Sequence, residues 1–516
     1  MPGAPSKYTD EFDETFDVVV AGFGFAGAAS AVAAADNGAS VLLAEKMPDP
    51  GGISITAGGG LRIADDADKA AAYLKATNDG RTPDDIIETF AREMTTISEW
   101  IEELAAPFDA ELQYVTREGN YPYPGADTFG FVQVVDIPGF DVKRDYPWIR
   151  VRTNGPHLFR VMQMQVERRD NIEVRTGFAA TRLIVGPNGD VRGISCTDKD
   201  GKVRRIKARH GVILSCGGFE ADLDMQEQYW QLRPVFPAGS QGNTGDGIRM
   251  AQDVGAELWH MWHYHASHGF RHPDPEYHCG IRMKILPHWT PGMREPTVRQ
   301  SWILLDQNGR RYMDESPPYA QDTGHRHMEF YDSVSMKFPR VPSWLVVDEA
   351  GRQMYPLGDP IFNDRDASLY EWSTDNLKEV ENGILKKVDS IEELAAYIKT
   401  DVDVVRSELD KWNRYCEQQH DDDHGRHPAT MAPIKEPPFY IGEIWPVISN
   451  TQGGPVHDID QRILNGFGEP VPRLYEAGEL GSIWGSVYIA GGNLSECFIA
   501  GRIAANHVTA LDPWDA

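Results

Sequence analysis

Three glycines constrain this chain more than any other feature. Gly22, Gly24 and Gly27 form GxGxxG inside FDVVVAGFGFAGAASAVAAADNGASVLLAEK. The flanks read as a buried strand (Val18 to Ala21), a Gly-rich turn, a helix ending at Asn37-Gly38, and a second strand (Val41 to Ala44). In such a βαβ unit the first glycine permits the tight turn, the second lets backbone approach a pyrophosphate, and the third admits close helix packing. The helix N-terminus then faces the phosphates, and Glu45, at the end of the second strand, accepts hydrogen bonds from adenosine ribose hydroxyls. Glycines at Gly22 and Gly24, with Gly27 following, also argue against a membrane span over the apolar run Val18 to Ala35.

The rest of the composition narrows partners rather than fold. At 516 residues with 41% hydrophobic residues, the chain can bury a sizeable core, and length alone allows roughly three domain-sized units. Its net charge of −28 opposes nucleic acid or an anionic membrane surface as main partner, since both reward a basic face. Cys196, Cys216, Cys279, Cys416 and Cys497 are odd in number and never form CxxC, which fits reduced thiols in a cytoplasm. MPGAPSKYTDEFDETF lacks the basic start and apolar core of a secretory signal, so a cytoplasmic location is expected.

Further along, residues 181–215 carry short β-type runs punctuated by Asn188-Gly189 and Asp200-Gly201, which predicts an antiparallel meander. GVILSCGGFEAD reads as a buried strand (Val212 to Ser215) followed by Gly217-Gly218, and Thr244 to Gly247 opens an amphipathic helix. Residues about 270–440 lack βαβ alternation and are rich in Pro, His and aromatics. They predict a separate α+β cap with helices near 366–383 and 390–418. RLYEAGEL and GSVYIAGGNLSECFIAGRIAANHV close the chain in a helix, and no internal repeat is evident.

These segments, with ISITAGGG (53–60), TGDGI (244–248) and ILLDQNGRRYMDE (303–315), together resemble the FAD-binding family of fumarate reductase and succinate dehydrogenase flavoproteins, which also holds the 3-ketosteroid dehydrogenases. The resemblance spans nearly the whole chain. It implies an α/β fold: a Rossmann-like, glutathione-reductase-like FAD-binding domain built from residues 1–270 and 440–516, covered by an inserted α+β capping domain at 271–439. It implies FAD contacts from Gly22, Gly24, Phe25, Ala26 and Gly27, from Glu45 and Lys46, and from Gly52, Ile53, Ser54, Ala57, Gly58 and Gly59. Further contacts are implied at Cys216, Gly217, Gly218, Thr244, Asp246 and Gly247, and at Glu479, Asn493 and Leu494.

The departures from the family carry the substrate reading. Where covalent members attach flavin through a His, this chain has Ile53, so dissociable, non-covalent FAD is expected. Asn450 stands where fumarate reductases keep a substrate-binding His, Tyr488 where they keep a tail Arg, and Tyr319 where they keep a proton-delivering Arg. Losing two cations and a His removes charge-assisted capture of carboxylates, which favours a neutral, flat ligand with one carbonyl. Ketosteroid dehydrogenases place tyrosines at both positions, and the tail spacing Tyr488, Gly491, Leu494, Gly501-Arg502 is most similar to the Δ4-(5α) type. The resemblance then implies desaturation beside a ketone. Tyr488, helped by a backbone N–H at Gly491 or Gly492, binds the carbonyl; Tyr319 removes the α-proton; Tyr121 or Tyr123 relays it.

Other clusters point elsewhere less sharply. His260, His263, His265, His268, His272 and His278 crowd one stretch with irregular spacing, which favours pocket lining or packing over a metal site. HDDDHGRH (420–427) reads as a solvated loop, and Arg310 and Arg311 read as exposed beside the Asn308-Gly309 turn. No haem motif or second flavin segment is evident, so electrons are expected to pass to or from a separate partner. Two functions are carried forward: a dehydrogenase of a cyclic, steroid-like ketone, and the reverse reaction on an enone or acrylate. A flavin-bound, non-catalytic sensor is the third class, disfavoured by Tyr488 in an intact flavin-contact tail.

Overall fold

In the computed structural model, residues 7–9, 11–151, 154–275, 277–284, 299–317, 319–363, 365 and 370–516 are described. Strand β1 (Glu14–Ala21), helix α1 (Phe25–Asp36) and strand β2 (Val41–Ala44) form the expected βαβ unit. Asn37 closes α1, and Gly38 takes the left-handed conformation there (φ +88°). Eleven of the twelve α1 residues are buried. The helix is sandwiched between the sheet and the terminal helix Gly492–Thr509, and its alanines let the two helices approach closely. A Cβ on Gly501 would come within 2.9 Å of the Ala26 carbonyl oxygen, so only glycine fits that crossing.

The first sheet has eight strands among the described residues. Its centre is parallel: Pro470–Glu476, Val203–Leu214, β1, β2 and Ile172–Arg175 lie side by side. The predicted strand at Val212 is the end of a longer one, because residues 203–207 pair with the meander. That meander runs Phe178–Val185, Val191–Asp198, Val203–Leu214, with positive φ at Gly189 and Gly201 as hairpin chemistry requires. Strands from both ends of the chain therefore build one core.

The second eight-stranded sheet is mostly antiparallel, in the order Ile303–Leu305, Ser343–Asp348, Phe439–Thr451, Tyr264–Arg271, Gly280–Met283, Gly358–Asp359. The expected boundaries at 270/271 and 439/440 fall at the ends of two of its central strands, Tyr264–Arg271 and Phe439–Thr451, which pair with each other.

Several local expectations are corrected. The helix expected over 390–418 is two helices, Ile391–Ile398 and Val402–Gln418, because Lys399 turns left-handed (φ +59°) and the Asp401 side chain caps a new start at the Asp403 N–H. Of the helix expected over 366–383, residues 366–369 lie outside the described ones, and only Leu377–Glu381 is helical. Asn376 starts that turn with φ +59°, its side chain tied to Leu357, Arg352 and Tyr355. Arg311 is buried rather than exposed. With Arg426 it brackets the buried carboxylate Glu315, Arg311 at 2.9 Å and Arg426 at 3.1 Å. Asp421, also bound to Arg311, and Arg426 are buried as well, so 420–427 is only partly a solvated loop. Among the described residues no helix is long and apolar enough to cross a membrane.

Candidate active site

The glycine turn after β1 opens into a cleft. Gly22 has φ +105°, and a Cβ there would strike the Ser215 carbonyl of the neighbouring strand. A Cβ on Gly27 would overlap the Gly22 carbonyl oxygen, so the third glycine serves packing of α1 onto its own turn. Helix α1 begins without a side-chain cap, and Gly24, Phe25 and Ala26 line the cleft, so its positive end faces the space. The Phe25 N–H is held by Ser54 Oγ at 3.0 Å, which brings the segment after β2 against the turn.

Glu45 sits at the end of β2 with one oxygen on the Phe23 N–H and the other on the Met47 N–H, both at 2.8 Å. Burial raises its pKa, opposed by those two N–H groups. Lys46 does not point a free cation at phosphate; its Nζ is 2.6 Å from both Asp246 and Thr244. Gly52, Ile53, Ser54, Cys216, Gly217, Asp246 and Glu479 complete the expected lining. Phe23, inside the glycine turn, Met47, next to Lys46, and Asn243, next to Thr244, also line it; each is a neighbour of a residue the motifs had marked. An adenine dinucleotide fits this arrangement: a side-chain-free cradle at a helix start for the pyrophosphate, and a buried carboxylate for ribose hydroxyls.

Gly27, Ala57, Gly58, Gly59, Gly218, Thr244, Gly247, Asn493 and Leu494 do not line the cleft. Gly218 and Gly247 are close-approach positions, against Thr451 and Leu480 respectively. Gly59 (φ +78°) packs against Asn154, Leu494 is in the core, and the Asn493 side chain donates to the buried Glu496 carboxylate. Glu220 and Glu479 are both buried and share Asn243, whose Nδ2 is 2.8 Å from Glu220 and 3.5 Å from Glu479. Burial, then mutual repulsion, raises Glu479; burial also raises Glu220.

Tyr319 and Tyr488, far apart in sequence, meet around one histidine. Both are buried. The Tyr319 Oη is 3.5 Å from His265 Nε2, and the Tyr488 ring centroid is 4.5 Å from that of His265. Tyr319 has φ +53°, a left-handed conformation that costs a non-glycine residue roughly 1–2 kcal/mol and recurs at functional sites. Burial raises Tyr319 well above an ordinary phenol, with Tyr488 and Asp322 adding to it; Arg62 and Arg282 pull the other way. Burial likewise raises Tyr488. His265 is pushed down to about 4 by burial and is therefore a neutral imidazole.

Two expectations about the helpers are corrected. Tyr121 does not hydrogen-bond Tyr319; the rings meet edge-on at 6.4 Å, and the Tyr121 hydroxyl donates to Asp322 Oδ2 at 2.6 Å. Tyr123 is 41% exposed. The Gly492 N–H is already donated to the Ile489 carbonyl at 2.9 Å, while the Asn493 N–H goes to the Tyr488 hydroxyl at 3.3 Å. The start of the terminal helix therefore polarises Tyr488 rather than a ligand carbonyl directly.

Sequence reasoning also missed that cations return to the site by another route. Arg62, wholly buried, donates to the Ala490 carbonyl at 2.9 Å and the Arg117 carbonyl at 2.7 Å, and burial lowers it to about 10. It comes from the strand Gly60–Ala64, which overlaps the end of the ISITAGGG run, and Arg282 comes from the second sheet. His265 was within reach of sequence reading, since the His-rich stretch puts His265 and His268 on the strand Tyr264–Arg271, but four of its histidines (His260, His263, His265, His268) are buried and only structure separates them.

Comparison with known proteins places these features in a family. The FAD binding domain family model matches residues 17–494. The digoxin reductase of Eggerthella lenta is 26% identical, over 97% of this chain and 88% of that protein. A 3-oxosteroid 1-dehydrogenase of Mycolicibacterium smegmatis is also 26% identical, over 96% of this chain and 98% of that protein. The crystal structure of the 3-ketosteroid Δ1-dehydrogenase from Sterolibacterium denitrificans shares the fold, with a TM-score of 0.77 at 23% identity, over 96% of this chain and 100% of that one. The glycine cradle, the buried Glu45 and this match over most of the chain lead to one conclusion: the chain belongs to the FAD binding domain family, and it is an FAD-dependent oxidoreductase of carbon–carbon bonds.

Proposed function

We propose that the enzyme desaturates a C–C bond next to the ketone of a cyclic, steroid-like substrate. The observation that carries this reading is the pairing of two buried tyrosines, Tyr319 and Tyr488, around His265. When bound, FAD supplies the hydride acceptor. Tyr488 donates its hydroxyl to the substrate carbonyl, a role supported by the Asn493 N–H that its own oxygen accepts, which makes the O–H a better donor. Tyr319 exchanges the α-proton, and Arg62 and Arg282 favour its ionised form. Ile53 in the cleft, with no nucleophile to bond flavin, supports non-covalent FAD. We take the substrate-covering unit to include the strands Tyr264–Arg271 and Phe439–Thr451, since both belong to the second sheet. Electrons pass to a separate carrier, in a reducing cytoplasm consistent with the free thiols of Cys196, Cys216, Cys416 and Cys497.

The reverse reaction, reduction of an enone, is the second reading. It is favoured by one observation: burial holds Tyr319 protonated, as a proton donor must be. Anaerobic mixing with a panel of 3-ketosteroids and smaller cyclic ketones separates the two. Bleaching of the oxidised flavin by a steroid supports the first. A reduced flavin reoxidised by the enone, with no bleaching by any saturated ketone, overturns it in favour of the second.

A further inference from the structure

The proposed function has Tyr319 exchange the α-proton, and a role for any group that serves Tyr319 rests on that reading. A protonated phenol acts as a base only if its own proton leaves as the substrate proton arrives. Tyr121 is not the recipient, because its hydroxyl is committed to Asp322. A lone-pair atom that faces the Tyr319 hydroxyl is His265 Nε2, at 3.5 Å, with the two rings inclined by only 21°. Such contacts often tighten once substrate is bound.

The tautomer of His265 can be read by following the amides outward. Glu496 Oε2 accepts the Trp484 indole N–H at 3.1 Å, and indole is a donor only. The same carboxylate oxygen takes Asn493 Nδ2 at 3.0 Å, so the Asn493 carbonyl oxygen faces the other way, toward Asn450 Nδ2 at 3.2 Å. Asn450 Nδ2 also donates to the Thr451 carbonyl at 3.1 Å, an acceptor that independently fixes the same orientation. The Asn450 carbonyl oxygen is thereby turned to His265 Nδ1, 3.3 Å away. That nitrogen must carry the proton, which leaves the Nε2 lone pair aimed at Tyr319.

We infer that His265, held with its proton on Nδ1 by the Glu496–Asn493–Asn450 chain, receives the phenolic proton of Tyr319 during α-proton abstraction. The α C–H bond breaks and its electron pair stays on the substrate as the enolate. Its proton bonds to the Tyr319 oxygen while the original Tyr319 proton bonds to Nε2. Two protons have each moved one place, for a net transfer of one proton from substrate to His265, and the new imidazolium balances the enolate. The Asp322 carboxylate lies close enough to favour that imidazolium. In the reductive direction the same transfers run backward.

The test compares His265→Ala, His265→Gln and Asn450→Leu with wild type and Tyr319→Phe. It uses a ketone that bleaches the wild-type flavin, reading flavin bleaching, α-proton exchange in D2O, KM and FAD content. His265→Ala should keep FAD and a KM within about threefold of wild type while α-proton exchange falls about 100-fold. Added imidazole should restore at least about tenfold of that loss in His265→Ala and nothing in Tyr319→Phe. His265→Gln should be as slow as the alanine variant, and Asn450→Leu, which frees the tautomer, should lose about tenfold. Exchange at the wild-type rate in His265→Ala overturns the inference. So does a loss that imidazole leaves unchanged in a variant with full FAD. If no ketone bleaches the wild-type flavin, the proposed desaturation fails instead, and the same His265 variants are compared in enone reduction by the reduced enzyme.

Discussion

The Asp322 carboxylate accepts the Tyr488 backbone N–H at 3.1 Å, joining the segment that carries Tyr319 to the tail that carries Tyr488. The same oxygen takes the Tyr121 hydroxyl, so one buried acid sets the spacing of three tyrosines. Burial alone would raise Asp322; His263, 3.9 Å from Oδ1, with His265 and Arg326, outweighs it and holds the group well below the usual carboxylate range. Asp322→Ala strands two buried donors. It should cost about 2–4 kcal/mol in urea unfolding and lower turnover, with FAD content retained. Unchanged kinetics in a folded Asp322→Ala variant would remove this spacing role.

The two tyrosines should separate by the step they impair. Tyr319→Phe removes the proposed proton-exchanging group and is expected to slow flavin bleaching about 100-fold or more, with ligand affinity kept. Tyr488→Phe removes the proposed carbonyl donor and leaves the Asn493 N–H without its oxygen, so both affinity and rate should fall. Stopped-flow bleaching across a substrate range reads both quantities.

Arg282 should tune the pH profile. Its positive charge favours the Tyr319 phenolate, so Arg282→Met raises the Tyr319 pKa further. The rise of the dehydrogenation rate with pH should then move to higher pH. A profile that stays in place shows that Arg282 does not act on Tyr319.

Glu315 links stability to acid. Burial would raise it, but Arg311 and Arg426 hold it at about 2, below its unfolded value. A depressed carboxylate contributes stability above its unfolded pKa, and loses it as pH falls toward the folded value. Unfolding free energy should therefore drop between about pH 5 and pH 2. Arg426→Met, which removes one of the two cations, should cost about 3 kcal/mol at neutral pH and flatten that acid limb. Urea titrations at several pH values measure both.

Gly27→Ala tests the cradle. The new Cβ would overlap the Gly22 carbonyl, displacing α1 from the turn. The variant should purify with little or no flavin, read directly from its absorbance spectrum.

The sequence by itself determined the βαβ cradle and the meander and singled out two tyrosines that the fold brings together, because each depends on local chemistry. Glycines at Gly22, Gly24 and Gly27, hairpin turns at Gly189 and Gly201, and motif register around Tyr319 and Tyr488 are written in consecutive residues. The break at Lys399 was also local, with Asp401 a capping residue, but a continuous apolar pattern on both sides concealed it. Tertiary structure alone decided what faces what. Arg311 reads as a turn residue until Glu315 and Asp421 are seen to bury around it. Arg62 and Arg282 enter the site from strands outside its motifs, and Tyr121 turns to Asp322 rather than to Tyr319. His265 is one of six neighbouring histidines until two sheets bring Asn450 to one of its nitrogens and Tyr319 to the other. The physical reason is common to all of these: a buried polar group must be satisfied by whatever partner packing brings near, and that partner is set by long-range contact rather than by neighbours in the chain.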